Sequence, residues 1–369
     1  MIDIVEGIED EGTTMMLSEV FEDITFIPLE TTDECLIGNT ILGIHFSKDY
    51  IVIVDRTPRQ ILLFDKTGKF IRKIGNRGQG PGEYLSPFLS VLVNDELFIW
   101  DIGLNATLCY DLHTGKCLRV KKHDSYDIRS MKNFNDSLLI YYYGLPERED
   151  LKEFYHIQTL SLDFENIDML WHEKMKLPLR SEQIDENYRR VCTYLKDGIF
   201  HVLDPNVDDE TVFYMDRKLE KIPAYKLHSG KYNAYGKSSG EKYDIYSIKE
   251  TDRFLFVNGG LREKRHARRI LYDKTTGKSR NIIFNLDFND WGFHNDIDGS
   301  IPFWPSGYAC DNILFDHITP ERLKSLMSHP YYRTIEVKNK EKHQAIKDYL
   351  DSAEEDANPV IFLATLKTE

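Results

Sequence analysis

Apolar residues fall along this chain in short blocks that end on aspartate, and one block-and-turn unit occurs twice in nearly the same form. The first copy reads Ile51-Val52-Ile53-Val54-Asp55, then Gln60-Ile61-Leu62-Leu63-Phe64-Asp65-Lys66-Thr67-Gly68-Lys69, then Phe70-Ile71-Arg72-Lys73-Ile74-Gly75. The second reads Leu97-Phe98-Ile99-Trp100-Asp101, then Thr107-Leu108-Cys109-Tyr110-Asp111-Leu112-His113-Thr114-Gly115-Lys116, then Cys117-Leu118-Arg119-Val120. In both, ten positions separate the aspartate that ends the first apolar run from the aspartate after the aromatic. Asp65 and Gly68 stand where a type I turn wants an acceptor side chain and a glycine, and β-branched and aromatic runs flank the turn. The unit is therefore an antiparallel hairpin. The run before it, Ile51 to Val54, is apolar on both faces, so that strand needs cover on both sides, which stacked propeller blades provide.

The turn recurs more loosely downstream. With Asp65, Asp111, Asp163, Asp216 and Asp273 as markers the steps are 46, 52, 53 and 57 residues, close to the roughly 40 to 50 residues of a four-stranded blade. Upstream apolar runs accompany the later markers at Leu138 to Tyr143, Ile199 to Leu203 and Phe254 to Val257. Ile24 to Leu29 reads as a strand ahead of the first blade and Pro359 to Leu366 as a strand at the C-terminal end, with helix-like stretches at Pro320 to Met327 and Lys340 to Glu354. The expected fold is all-β, a six-bladed β-propeller closed by strands from both termini, with a small C-terminal helical insertion. Residues 1–22 are expected as an N-terminal extension and 23–369 as the propeller, with the insertion at about 319–355 and the closing strand at 359–366. Closure removes sheet edges that an open stack would expose.

Composition narrows the function classes. The 369 residues are 41% hydrophobic and 12% aromatic, which supplies a packed interior and leans toward strand. A formal charge of −14 repels phosphate backbones, so nucleic acid and anionic membranes are poor partners. Five cysteines (Cys35, Cys109, Cys117, Cys192, Cys310) show no zinc-ligand spacing. Cys109 and Cys117 flank a predicted hairpin and read as reduced, packed thiols. There is no apolar stretch long enough for a transmembrane helix, and Met1 to Gly12 is acidic, without the layout of a signal peptide.

Phe26-Ile27-Pro28-Leu29-Glu30-Thr31, Gly75-Asn76-Arg77-Gly78-Gln79-Gly80-Pro81-Gly82-Glu83-Tyr84, Asn295-Asp296-Ile297-Asp298-Gly299 and Asp356-Ala357-Asn358-Pro359 together resemble a family of six-bladed propeller proteins from gut anaerobes, related to NHL-type repeats. The resemblance spans about Ile24 to Leu366, and the glycine-rich segment is its most specific part. It implies the propeller fold and, because those proteins are usually exported and often lipoproteins, a location in the periplasm or cell envelope. This chain departs from them in showing no lipid-attachment cysteine near its start. The family has no agreed activity, so no catalytic residue is transferred.

Candidate chemistry is sparse. Gly75 to Gly82 invites a phosphate-loop reading, but Gly80 is followed by Pro81 and Gly82 where a P-loop needs Lys and Ser or Thr, and Glu83 stands where the dinucleotide fingerprint needs its third glycine. It reads as a connector between blades. Asp204 to Glu210 opens like a calcium loop, yet Asp209 and Met215 occupy the positions that require Gly and Glu. No cofactor is therefore expected, and calcium gains no support. Arg262, Arg265 and Arg268 lie in a basic run, Arg262 to Arg269. They suit an oxyanion, since guanidinium forks match carboxylate and phosphate geometry; the plainer alternative is a solvated loop.

The richest stretch holds Trp291, Phe293, His294, Asp296 and Asp298, followed by Trp304 and Tyr308. Aromatic faces beside carboxylates are what a sugar or peptide pocket uses. The competing reading packs the tryptophans between blades and gives the aspartates to a turn. No nucleophile motif occurs, no G-x-S-x-G, H-E-x-x-H or S-x-x-K. The expected function is a non-catalytic binding propeller that presents a loop or funnel surface to a glycan, peptide or protein partner. The alternatives are a metal-dependent hydrolase or lyase using axial propeller residues, one from each blade and so invisible to spacing, and a structural protein-interaction subunit.

Overall fold

In a computed structural model, the residues described are 1–123, 128–134, 136–143, 155–171, 191–203, 210–216, 218–233, 241–261, 266–283, 292–310, 312–330, 332 and 336–367. The chain opens with β1 (Ile2–Asp3), α1 (Val5–Glu9) and β2 (Phe21–Pro28). Four sheets then follow one another in the sequence. The first holds β3 (Ile41–Phe46), β4 (Tyr50–Asp55), β5 (Gln60–Asp65) and β6 (Phe70–Lys73). The second holds β7 (Pro87–Val93), β8 (Glu96–Asp101), β9 (Ala106–Asp111) and β10 (Cys117–Lys122). The third holds β11 (Ile128–Phe134), β12 (Leu138–Tyr143), β13 (Tyr155–Ser161) and β14 (Asn166–Trp171). The fourth holds β15 (Cys192–Lys196), β16 (Ile199–Leu203), β17 (Thr211–Met215) and β18 (Lys221–His228), with β1 added in parallel at the outer edge of β18.

A fifth sheet is built from β19 (Tyr243–Glu250), β20 (Phe254–Leu261), β21 (His266–Asp273) and β22 (Lys278–Asn281). The sixth takes β23 (Gly307–Cys310), β24 (Ile313–Ile318) and β25 (Val360–Leu366) from the C-terminal part and β2 from the N-terminal part, in the order β2-β25-β24-β23. Between β24 and β25 lie α2 (Pro320–Ser328) and α3 (Lys340–Ser352). The fold is a six-bladed β-propeller with its last blade closed by strands from both termini, as the repeats predict.

The chain divides into two compact units. One comprises Met1–Val5, Ile74–Glu250 and Val257–Ala267, the other Glu6–Lys73, Thr251–Phe256 and Arg268–Glu369. Within the first, β12 explains why its run is apolar throughout. Leu139, Tyr141 and Tyr143 pack with Phe98, Trp100 and Met131, while Ile140 and Tyr142 point the other way, to Phe200, Val202 and Met215. Successive strand residues face opposite sides of a sheet, so a strand covered on both sides must be apolar at every position. Within the second unit, β25 does the same. Ile361 packs with Ile51, Ile53 and Phe64, and Val360, Phe362 and Ala364 pack with Phe21, Phe293 and Trp304.

The marker aspartates act at the hairpin turns. Asp65 Oδ1 accepts from the Thr67 N–H at 2.8 Å and the Lys69 N–H at 3.1 Å. Asp111 Oδ1 accepts from the Thr114 N–H at 2.7 Å, Asp216 Oδ1 from Lys218 and Glu220, and Asp273 Oδ1 from Thr275. The third marker is displaced. Ser161, not Asp163, ends β13, and its hydroxyl accepts from the Glu165 N–H at 3.0 Å. Serine fills the acceptor role there and the register slips by two residues.

Asp55 and Asp101, which end the preceding apolar runs, are fully buried. Asp101 Oδ2 accepts from the N–H groups of Leu85 and Ser86, each at 2.7 Å, and Oδ1 accepts from Leu104 at 2.8 Å. Asp55 binds the Gly38 N–H at 2.8 Å and the Thr57 N–H at 3.0 Å. Each carboxylate ties the incoming connector to the turn that follows its strand, so the buried charge is answered by several hydrogen bonds.

Candidate functional site

The segment from Phe293 to Tyr308 is assembled by two elements far away in sequence, the chain ahead of β2 and α3. Met16 forms a parallel bridge with His294, and Phe293 an antiparallel one with Phe303. The His294 N–H donates to the Met15 carbonyl at 2.8 Å, and the Leu17 N–H donates to the His294 carbonyl at 2.7 Å. Burial depresses the His294 imidazole below its ordinary value, which Asp296 nearby partly opposes.

Aromatic side chains from this segment enter the core. Phe293 stacks on Trp304 at 5.7 Å and meets Phe21 edge-on at 5.9 Å; Trp304 meets Phe256 edge-on at 5.5 Å. Tyr308 packs half-buried against the same cluster. The acidic residues fix the corner. Asp296 accepts from the Ser18 N–H at 2.9 Å, the Ser18 hydroxyl at 2.5 Å and the Lys338 ammonium at 2.9 Å. Burial would raise the Asp296 carboxyl, but the Ser18 donors and Lys338 outweigh it and hold the group below the usual carboxylate range.

Asp298 is fully buried. Its Oδ1 accepts from Asn295 Nδ2 at 2.7 Å, the Ser300 N–H at 2.9 Å and the Ser300 hydroxyl at 2.6 Å. Its Oδ2 has no partner among the described residues, and burial pushes the carboxyl up against the lowering from Ser300 and Asn295. Gly299 follows at φ +67°, where a Cβ would come within 2.5 Å of Val337 Cγ1, so this turn requires glycine.

Phe293, His294, Asp296, Asp298 and Trp304 are thus brought together as core and corner, with Tyr308 at the margin. Trp291 lies outside the described residues, as do Arg262 and Arg265. Arg268, the third member of the proposed oxyanion group, is half-buried and donates from Nε to the Ile8 carbonyl at 3.2 Å. Of the acidic loop, 204–209 also lies outside; Glu210 is described, and its carboxylate accepts from the Ser229 hydroxyl. Among the described residues no group of three His, Cys, Asp or Glu side chains could hold a metal ion, and no helix is long and apolar enough to cross a membrane.

The segment ahead of β2 was expected as an extension. Its Ile4, Ile8, Leu17 and Val20 are buried, Thr13 bridges Ile282, and Asp10 Oδ2 accepts from the Asn281 N–H at 3.0 Å.

The glycine-rich connector occupies itself. Gly80 donates its N–H to Glu83 Oε2 at 2.8 Å, and the Gly78 and Tyr84 N–H groups donate to the carbonyls of Tyr84 and Asn76. The Glu83 side chain lies against Gly78 and Gly80. Alongside it a groove of about 550 Å³ runs between the connector and β10, lined by Asn76, Pro81, Gly82, Lys116, Leu118 and Val120, among others. Sequence reasoning passed over this groove, although the apolar–basic alternation of Leu118 to Lys122 was in view.

The sequence profile of a domain of unknown function, DUF4934, matches residues 1–365. The chain belongs to the DUF4934 family. None of the curated proteins matches the sequence. Among solved structures, this DUF4934 protein is similar to a Bacteroides fragilis protein classed by inference as exported, at 18% identity and TM-score 0.70, covering 100% of this chain and 99% of that one. At that identity the likeness shows the fold. Catalytically inactive virginiamycin B lyase from Staphylococcus aureus, solved with quinupristin, matches at 14% identity and TM-score 0.36 over 60% of this chain and 62% of its own. The extracellular domain of an inferred one component system from Bacteroides thetaiotaomicron matches at 12% identity and TM-score 0.37, over 78% and 36%. Those two scores carry no weight for function.

Proposed function

We propose that this DUF4934 protein is a non-catalytic binding propeller whose connector surface engages a polypeptide partner. The observation that carries the reading is an apolar pair at one end of the second blade. Phe88, at the start of β7, is 41% exposed and Ile102, in the turn after β8, is 43% exposed, and the Ile102 N–H donates to the carbonyl of Ser86, just ahead of β7, at 3.1 Å. Below them Phe88 meets the buried Trp100 edge-on at 5.8 Å, and the Trp100 Nε1 donor has no partner among the described residues. Large exposed apolar side chains held on a rigid scaffold are what an interface anchors to. An envelope location belongs to the same reading and rests on the exported propellers that the sequence resembles.

The test is a combined peptide and glycan array, followed by affinity measurements on Phe88→Ser and Ile102→Ser. Loss of about tenfold or more in affinity for the captured ligand is the expected result. Captured peptides that bind both variants as tightly as the parent protein, or capture of glycans alone, would overturn the reading.

A further inference from the structure

We infer that the outer edge of β10 accepts an extended acidic–apolar segment of a partner protein as a fifth strand. This surface is separate from the Phe88–Ile102 pair. Among the described residues β10 is the terminal strand of its sheet. An unpaired edge is a template for another strand, and most proteins blunt it. Here the strand is bulged between Cys117 and Arg119 and still carries two large apolar side chains, Leu118 at 46% and Val120 at 47% exposure, beside the groove of about 550 Å³.

Charge and an internal precedent name the occupant. Lys116, Arg119, Lys121 and Lys122 are concentrated on this strand and the residue before it, in a chain of formal charge −14. Arg119 and Lys121 turn inward. The Arg119 guanidinium pairs with Glu96 and donates to the Leu162 carbonyl at 3.1 Å, and Lys121 Nζ donates to the Phe164 carbonyl at 3.2 Å. Lys116 and Lys122 flank the apolar pair, and Lys122 Nζ donates to the Leu104 carbonyl at 3.0 Å. The corresponding edge of the fourth sheet, β18, is already filled by the chain itself. Ile2 pairs with Leu227 and Asp3 with His228, and the Ile4 N–H donates to the His228 carbonyl at 3.0 Å. There an Ile-Asp-Ile strand lies on an edge containing Lys226 and Leu227. β10 offers the same edge position with apolar residues set among basic ones, so it suits a strand of the same acidic–apolar kind, with main-chain bonds giving affinity and alternate side chains giving specificity.

A fluorescent octapeptide alternating Ile with Asp is the probe, with an Ile–Lys octapeptide as its control. Expected are saturable binding of the acidic peptide by anisotropy, no binding of the basic one, and slowed amide exchange confined to Cys117–Lys122. The double variant Leu118→Glu, Val120→Glu, whose side chains are exposed, weakens binding by about tenfold or more. The inference is overturned by absence of saturable binding at about 1 mM peptide, by slowed exchange elsewhere, or by unchanged affinity in the double variant. Equilibrium sedimentation adds one more such outcome, a dimer of this chain that the double variant abolishes, which would make a second copy the occupant. Binding kept by the double variant but lost in Phe88→Ser would sink the strand acceptor and leave the connector surface standing; the converse would separate them the other way.

Discussion

The Ser18 hydroxyl donates to Asp296 Oδ2 at 2.5 Å across 278 residues of chain. With the Ser18 N–H on the other carboxylate oxygen, this bond fastens the segment ahead of β2 to the corner that carries Phe293 and Trp304. Replacing Ser18 by Ala removes two hydrogen bonds to charged groups, the one the hydroxyl donates to Asp296 and the one it accepts from the Lys338 ammonium, and costs about 1.5–3 kcal/mol in urea denaturation. Asp296→Asn adds a pH signature. A carboxyl held below its ordinary 3.8 stabilises the fold above that value and loses the contribution as pH falls through the lower folded value. The parent protein therefore loses more stability than Asp296→Asn between about pH 5 and about pH 2.

Asp298, two residues on, has the opposite sign. Burial raises its carboxyl above 3.8, so its contribution is present below the unfolded value and lost as pH rises through the raised folded value. Asp298→Asn keeps an oxygen for Asn295 and Ser300 and discards the charge on the unpartnered Oδ2. At neutral pH the variant should match or exceed the parent's stability, and the difference should vanish on acidification. A variant markedly less stable at neutral pH would show that the carboxylate is answered in the fold.

These two aspartates also mark how far the sequence could be read. The hairpins were legible because Asp65, Asp111, Asp216 and Asp273 act within a few residues of themselves, and local turn chemistry repeats with the blade. Ser161 escaped because another acceptor replaced aspartate. The two-sided burial of β12 was legible because it demands an unbroken apolar run. The Phe293–Tyr308 segment was not, because Phe and Trp are equally at home in a core and in a pocket. What places them is the chain near Ser18 and Lys338, whose contacts have no sequence period. Phe88 and Ile102 gave no signal either, since isolated apolar residues near strand ends read as ordinary core.

Asp101 should be among the least replaceable residues of its blade. Asp101→Ala leaves the N–H groups of Leu85, Ser86 and Leu104 without their acceptor, and an unmet buried donor costs about 1–3 kcal/mol. Relaxation of the connector limits the sum, so the expected loss is about 3–5 kcal/mol. Asp101→Asn should fall between, because one of the two acceptor oxygens survives as an amide. The comparison is made by urea denaturation, with Asp111→Ala as the exposed-turn control at about 1 kcal/mol or less. Equal losses for Asp101→Ala and Asp111→Ala would remove the clamp from the account of the fold.

Tyr194, on β15 of the fourth sheet, is hydrogen-bonded to Tyr225 on β18 and to Glu250 on β19 of the fifth sheet. Its hydroxyl is 2.6 Å from the Tyr225 hydroxyl and donates to Glu250 Oε2 at 2.7 Å, while its ring stacks on His201 at 4.8 Å. Burial first, and Tyr225 and Glu250 next, push the phenol far above its ordinary range, so it stays a donor at every accessible pH. Tyr194→Phe keeps the stacked ring and deletes only the bonds, leaving the Tyr225 hydroxyl without this partner. The expected cost is about 1–3 kcal/mol, with no change in the pH dependence of stability up to about pH 10, where ordinary tyrosines begin to ionise. A variant as stable as the parent would mean that water replaces the Tyr194 hydroxyl at no cost, and a loss that grows from neutral to alkaline pH would mean that the phenol ionises within that range.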